Sequence, residues 1–264
     1  MLNSLLVALI CVITYMTLFW AVAQLKKDLS VVDFGWGGGF VFIAITLFFL
    51  TNEYTIRQII VTSLVSIWGI RLSIYLYLRN KGTGEDYRYK NMRKRWTEQG
   101  KSVGLTSYIR VFMSQGLAMF LLSYPIVAVY AWDTGSSLGL LDYIGIVIWI
   151  IGFSLEVIAD KQLSNFKQDK RNEGKIITSG VWKYSRHPNY FGESVLWWGI
   201  FLIVSSVTLG WTAVAAPALL TFLLIKVTGV PPLERKYMKK PEFRAYAKRT
   251  SMFIPWFPKK QING

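Results

Sequence analysis

One histidine, one cysteine and 15 acidic residues are all that this 264-residue chain offers for metal binding, disulfide pairing or negative charge. The lone Cys11 excludes a disulfide framework and a cysteine metal cluster. The lone His187 excludes a histidine-rich metal site, and the acids show no metal-ligand spacing, so no metal is expected. Internal repeats are missing too, which argues against a transporter built from inverted halves. The glycine turn Gly82-Thr83-Gly84 has neither the spacing nor the preceding strand of a Rossmann fingerprint. Apolar residues, by contrast, make up 53% of the chain and charged ones only 17%. That balance excludes disorder and predicts an all-α polytopic membrane protein.

Seven apolar stretches reach the roughly 20 residues that a helix needs to cross a bilayer. They run Leu2 to Leu25, Val31 to Leu50, Ile56 to Leu78, Tyr108 to Ala131, Leu140 to Ala159, Asn189 to Leu209 and Trp211 to Val230. The first has no small-residue cleavage signature, so it is expected to be a helix and not a removed signal peptide. No composition shift marks a second domain. Residues 1–264 are therefore expected to form one transmembrane domain, with 1–131 on the substrate side and 132–264 on the cofactor side.

The formal net charge of +15 could suggest nucleic acid, but its distribution does not. The loops after spans one, three and five, together with the tail, hold 26 of the 30 Lys and Arg residues. In a seven-helix chain those four segments share one face. The opposite loops carry Glu53, Asp133 and Asp142, with Arg57 near the edge. The positive-inside rule then puts the N-terminus outside and the basic loops and C-terminus in the cytoplasm, as for a bacterial inner-membrane protein facing anionic lipid. No nucleic-acid partner is expected, and nothing in the sequence marks an oligomeric state.

Few ionisable groups interrupt the spans. Asp33, Arg71, Glu156, Asp160, Glu193 and Lys226 all fall toward the inferred cytoplasmic half. Such groups are costly in lipid unless they face a protein interior or a wet cavity. Structural ion pairs, for example Arg71 with Asp33 or Glu156, would also explain them. Cations gather at the mouth of this region: Arg71, Arg79, Arg88, Lys167, Arg186 and Arg235. Phosphate recognition uses such groups. The run from Gly180 to Glu193 adds Tyr184, Ser185, Arg186, His187, Asn189 and Glu193, side chains that suit a ligand with phosphates and a polar ring. The same run also reads as a capped start to span six, with Asn189 as the cap. The glycines around Trp36 read as close helix packing, or as room for a flat apolar substrate.

Ser185-Arg186-His187-Pro188-Asn189-Tyr190-Phe191-Gly192-Glu193, followed by Trp197-Trp198-Gly199, resembles the bacterial branch of the steroid 5-alpha-reductase family. Glu156 to Leu163, Gly84-Glu85-Asp86-Tyr87-Arg88, and Pro232-Leu233-Glu234 with Phe253-Ile254-Pro255 look like the same family. The resemblance runs from about Asp33 to Pro258. It implies a seven-helix membrane reductase that passes a hydride from NADPH to the beta carbon of an apolar enone, typically a 3-oxo-4-ene steroid. By the same resemblance, Asn189, Glu193 and Asp160 contact the cofactor, and Lys167 stands for an arginine seven residues beyond that aspartate. Arg71 and Tyr75 match an arginine and a tyrosine on span three, and Gln115 a glutamine on span four. The eukaryotic enzymes hold the ketone with a glutamate on span two and a tyrosine on span three; the nearest residues here are Asp33 or Trp36, and Trp68.

The implied arrangement has Lys167, Arg79, Arg88 and Arg235 on the phosphates, Asn189, Tyr184 and Glu193 on the nicotinamide or its ribose, and Asp33, Tyr75 or Gln115 on the carbonyl. The Arg-His-Pro-Asn-Tyr run is also similar to integral-membrane methyltransferases of the isoprenylcysteine carboxyl and phospholipid type, which use S-adenosylmethionine. The many cations favour the dinucleotide.

Overall fold

A computed structural model describes residues 1–51 and 54–259. Glu53, which the charge pattern assigns to the lightly charged face, lies outside the described residues. Helix α1 runs Leu2–Lys26, α2 Val31–Phe49, α3 Ile56–Asn80 and α4 Tyr87–Glu98. Helix α5, Val103–Ser107, continues through a π-helical turn, Tyr108–Met113, into α6, Ser114–Leu122, and α7 spans Tyr124–Trp132. Then come α8 (Leu140–Gln168), α9 (Pro188–Val204), α10 (Ala215–Phe222), a second π-helical turn (Leu223–Val227), α11 (Val230–Tyr237) and α12 (Pro241–Arg249). No β-strand occurs among the described residues, only an isolated bridge between Ser185 and Ser251.

Among the described residues, six helical stretches are long and apolar enough to cross a bilayer: Leu2–Lys26, Val31–Phe49, Ile56–Asn80, Val103–Leu122, Leu140–Gln168 and Gly210–Tyr237. Their outward faces are apolar. Leu6, Ile10, Ile13 and Leu18 of α1, and Val147 and Ile151 of α8, are all exposed. A face of that kind is a liability in water and the ordinary condition in lipid. The chain is an all-α polytopic membrane protein.

Several boundaries differ from the apolar pattern for physical reasons. The fourth expected span starts earlier, at Val103, and breaks at Ser123, because Pro125 sits in the first turn of α7, where its missing N–H is not needed. Helix α8 continues past Ala159 to Gln168. Its polar half still has an apolar face to bury: Ala159 packs with Ile177 and Trp182, and Leu163 and Phe166 join them. Helix α9 has 17 residues and ends at Val204, ahead of the expected end at Leu209, which adopts a left-handed turn (φ 57°).

The chain forms two compact units, one of Met1–Leu138 with Val204–Ala216, the other of Gly139–Ile203 with the chain from Pro217 on. In the first unit α2 and α3 meet at paired glycines: a Cβ on Gly37 would lie 2.4 Å from the carbonyl oxygen of Gly69. The glycine run beside Trp36 is therefore a packing device. Thr55 and Gln58 cap α3 reciprocally. Arg57, fully buried, donates to Asp133 at 2.8 Å and to the Ser137 carbonyl at 3.3 Å, tying the start of α3 to the segment after α7.

The second unit is organised on α8 and α9, which run antiparallel at close range. A Cβ at Gly145 would meet the Gly199 carbonyl oxygen at 2.6 Å, and one at Gly152 the Leu196 nitrogen at 2.5 Å. A Cβ at Gly192 would meet the Gly152 carbonyl oxygen at 2.6 Å. Small residues in register let two membrane helices touch backbone to backbone.

Candidate functional site

Each unit carries a polar cluster, and each cluster is assembled by short-range devices visible in the chain. In the first unit the device is the turn before α4. Gly82 and Gly84 adopt positive φ (81° and 70°), which permits a tight reversal. Glu85 then accepts from the Leu29 backbone at 2.9 Å and from Arg93 at 2.8 Å. The Asp86 backbone donates to Ser30 Oγ at 3.1 Å, and the Asp86 side chain caps α4 by accepting from Arg88 N at 2.9 Å. The turn is thus fastened to the α1–α2 connection, which brings the first turn of α4 up to Asp33 on α2.

There Arg88 Nη2 lies 2.9 Å from Asp33 Oδ2, and the Tyr89 hydroxyl donates to Asp33 Oδ1 at 2.6 Å. Gln115 Nε2 donates to Tyr89 Oη at 3.3 Å. Tyr89 is buried, with 5% of its surface exposed. Burial first, and then the Asp33 carboxylate, push its phenol well above the usual range, so it remains a proton-bearing donor. Burial works against the Arg88 charge, but the bond to Asp86 and the charge of Asp33 outweigh it and hold its pKa above the ordinary value. The result is a donor pair, a buried Tyr89 and a half-buried Gln115, oriented by a partly exposed ion pair.

Asp33, Asp86, Arg88 and Gln115 are all singled out by the sequence, and this cluster unites them around Tyr89, which the sequence reading missed. The signal was present: Tyr89 and Trp96 lie seven residues apart and form the buried face of an otherwise polar α4. Tyr87, two residues earlier, points outward and is 51% exposed. The other expected residues of this unit fall into two groups. Arg71, Tyr75 and Arg79 occupy one face of α3, with the guanidinium carbons 5.2 and 5.7 Å from the Tyr75 ring centre. Trp36 and Trp68 both pack edge-on against Phe40, at 5.4 and 5.6 Å, and Trp68 is fully buried. Asp33 pairs with Arg88 at 2.9 Å.

In the second unit, α8 and α9, which meet at the glycine crossing, each carry two polar side chains one turn apart. Glu156 and Asp160 lie on α8, Asn189 and Glu193 on α9. The three carboxylates are buried, at 2%, 2% and 8% exposure. Asn189 Nδ2 donates to Asp160 Oδ1 at 3.2 Å. Helix α9 begins at Pro188, so Asn189 stands inside its first turn and not at the cap. Lys167, two turns beyond Asp160 on α8, and Arg235 on α11 are both exposed.

The remaining residues of the His187 run serve a second, adjoining arrangement. Arg186 grips Glu234 with two nitrogens at 2.9 and 3.0 Å, and its third reaches the carbonyls of Ala247 (3.1 Å) and Thr250 (2.7 Å). His187 Nε2 lies 2.9 Å from the same Glu234 carboxylate, and its ring stacks on Tyr190 at 5.8 Å. Ser185 Oγ donates to the Phe253 carbonyl at 2.7 Å. Tyr246, whose phenol burial pushes upward, donates to the carbonyls of Trp182 and Ser185. Tyr184 is exposed and meets Phe257 edge-on at 6.0 Å. These contacts fasten the tail to the turn that begins α9 and so fix the position of Asn189 and Glu193. Among the described residues no group of three or more His, Cys, Asp or Glu side chains is arranged to hold a metal ion.

Comparison with known proteins adds relatives. Residues 19–250 match the family described as "Protein of unknown function (DUF1295)". The chain is 26% identical over 285 residues to "Uncharacterized protein C594.04c" of Schizosaccharomyces pombe, covering 96% of this chain and 80% of that protein. It is 33% identical over 129 residues to 3-oxo-5-alpha-steroid 4-dehydrogenase 1 of Bos taurus, covering 49% of this chain and 46% of that one. The Mus musculus protein of the same name is 27% identical over 159 residues, with 60% and 58% covered. The chain thus spans about half the length of these two steroid-named relatives. No solved structure matches it. Those names carry the resemblance to the steroid 5-alpha-reductase family, and the match over residues 19–250 shows that the chain belongs to the DUF1295 family.

Proposed function

We propose that this protein is a membrane-embedded, NADPH-dependent reductase of the conjugated C=C bond of an apolar enone, a flat lipid of the 3-oxo-4-ene steroid kind. The observation that carries the reading is the donor pair of the first unit, in which Tyr89 is buried. Tyr89 lies 2.6 Å from Asp33 and Gln115 3.3 Å from Tyr89, with Arg88 holding Asp33 at 2.9 Å. Oriented donors are what a developing oxyanion requires. The relatives named for a steroid 4-dehydrogenase support the same reaction class and do not favour the methyltransferase alternative with S-adenosylmethionine.

The second unit fits the cofactor's chemistry. Nicotinamide and ribose present amide and hydroxyl donors, and Glu156, Asp160 and Glu193 are buried carboxylate acceptors beside the Asn189 amide. Phosphates ask for cations: Lys167 is exposed seven residues beyond Asp160, and Arg235 is exposed next to Glu234, which Arg186 and His187 hold. We assign Asn189, Asp160, Glu156 and Glu193 to the nicotinamide and ribose, and Lys167 and Arg235 to the phosphates. The Arg186–Glu234–His187 arrangement positions that site by holding the turn before α9. When bound, NADPH supplies a hydride for the carbon beta to the substrate carbonyl.

The chain's own residues then handle the oxygen. As substrate arrives, the Tyr89 O–H turns from Asp33 to the carbonyl oxygen, and Gln115 Nε2 donates alongside it. Arg88 keeps the Asp33 carboxylate compensated once the phenol has turned away. The two donors hold the enolate oxygen, and the alpha carbon takes its proton from solvent water at the end of the reaction, which gives the saturated ketone.

We further propose that α9 forms a seventh crossing. Its 17 residues lie at the short end of the spanning range. Seven crossings would place the N-terminus outside and all four basic segments in the cytoplasm.

The test is turnover. Protein in lipid nanodiscs, given NADPH and a steroid 4-en-3-one, is expected to lose nicotinamide absorbance in step with formation of the saturated ketone. Tyr89→Phe should lower kcat by about 10²-fold and leave NADPH affinity unchanged. Thermal protection by S-adenosylmethionine in place of NADPH would select the methyltransferase instead.

A further inference from the structure

The end of the described chain, outside the long apolar helices, combines a pinned backbone with outward apolar side chains. Beyond α12 the backbone is fixed at four points. Arg186 N donates to the Ser251 carbonyl at 2.9 Å, Ser185 Oγ to the Phe253 carbonyl at 2.7 Å, Trp256 N to the Tyr184 carbonyl at 2.9 Å, and Lys259 N to the Arg249 carbonyl at 3.0 Å. Phe253 is buried and meets Phe191 edge-on at 5.6 Å. Yet Ile254, Trp256 and Phe257 are 62%, 71% and 77% exposed. Scattered single apolar residues on a surface are ordinary, but three within four positions on a fixed backbone make a patch.

Cations frame that patch. The exposed Tyr184 ring meets Phe257 at 6.0 Å and carries Lys183 Nζ at 5.9 Å from its centre. Lys259 is bonded to Arg249, and Lys248 and Arg249 are exposed. No acidic residue occurs from Pro241 to Lys259 except Glu242, at the opposite end of α12. Pro255 and Pro258 keep the segment from becoming a helix, so its side chains stay splayed. Aromatic rings with a polar edge or neighbour settle at the lipid headgroup level, and Lys and Arg beside them draw anionic lipid.

We propose that Ile254, Trp256 and Phe257, with Tyr184 and the cations Lys183, Lys248, Arg249 and Lys259, form a second membrane anchor that seats in the headgroup layer of an anionic leaflet. Because the same segment is clamped to Ser185 and Arg186, the anchor holds the turn before α9 at the bilayer surface. The proposal rests on the membrane placement of the chain, not on the reductase reading, and its test needs no turnover.

The full-length chain with Cys11→Ala and Phe257→Cys is labelled with an environment-sensitive nitrobenzoxadiazole dye. It is placed in nanodiscs of phosphatidylcholine alone, or of phosphatidylcholine with phosphatidylglycerol. The dye is expected to be quenched by lipid-borne nitroxide and to be several-fold less accessible to aqueous iodide than the same dye on glutathione. Its emission should shift further to the blue in the anionic discs, and Lys248→Glu with Arg249→Glu should remove that difference. A second reporter, Met252→Cys, should respond in the same direction. Iodide access equal to that of the glutathione adduct at both positions would overturn the proposal. So would shielding that appears in lipid-free detergent as protein concentration rises, which would assign the patch to a second copy of the chain.

Discussion

Replacing Gly152 by Ala pushes one methyl group into backbone. The added Cβ would lie 2.5 Å from the Leu196 nitrogen, 2.7 Å from the Gly192 carbonyl oxygen and 3.0 Å from Leu196 Cα. None of these atoms can swing aside as the tip of a side chain can. Comfortable separations are about 3.5 Å, so α8 and α9 must part by roughly 1 Å. The Asn189–Asp160 bond, at 3.2 Å, has little slack. A parting of that size takes it beyond hydrogen-bond range. Overpacking of this kind costs about 1–3 kcal/mol. Thermal unfolding in nanodiscs should show the loss, and NADPH affinity, read by ligand-induced stabilisation, should fall by about 2- to 12-fold if half of that cost reaches the bound state. Ser154→Ala, on the exposed side of the same helix, is the neutral control. An unchanged melting temperature for Gly152→Ala would refute the backbone-to-backbone crossing. A lowered melting temperature with unchanged NADPH affinity would refute the placement of the cofactor on Asn189 and Asp160.

Other substitutions probe the remaining devices. Glu234→Ala leaves Arg186 and His187 facing each other without their carboxylate, a loss of about 3–5 kcal/mol for a buried pair; hydrogen exchange should accelerate across residues 241–259 more than in α3. Arg57→Ala strands a buried carboxylate at Asp133 and should destabilise by a similar amount, while Arg57→Met with Asp133→Leu should recover most of it in an unfolding assay. The Tyr89 phenol is raised in the folded state, so the neutral form is favoured there. The stability this supplies is complete below the unfolded value of about 10 and is lost as pH rises through the folded one. The alkaline limb of kcat/KM should therefore lie above about pH 10, and an earlier limb that vanishes in Tyr89→Phe would contradict the burial argument.

Much of this was legible in the sequence because membranes impose a simple code. Apolar length exposed the spans, and Lys and Arg bias predicts their orientation. The carboxylates Glu156, Asp160 and Glu193 stood out because a charge in an apolar run needs a reason. Helix ends were harder to read: α8 runs on to Gln168 because Leu163 and Phe166 have a local partner in Trp182, which no hydropathy average detects. Tyr89 escaped notice because its importance lies in a bond to Asp33, 56 residues away in sequence. The roles of Arg186 and His187 were hidden for the same reason, since Glu234 and the tail carbonyls that engage them come from distant segments. The glycines were the intermediate case, since their number suggested close packing and only the structure paired Gly37 with Gly69 and Gly152 with Leu196.

The most direct measurement is single-turnover reduction of a steroid 4-en-3-one by the nanodisc-held protein charged with NADPH, run beside Tyr89→Phe. The account predicts one saturated ketone per nicotinamide oxidised, and a rate about 10²-fold lower in the variant with the cofactor still bound. Nicotinamide left unoxidised in the unaltered protein, or equal rates in the two, would contradict it.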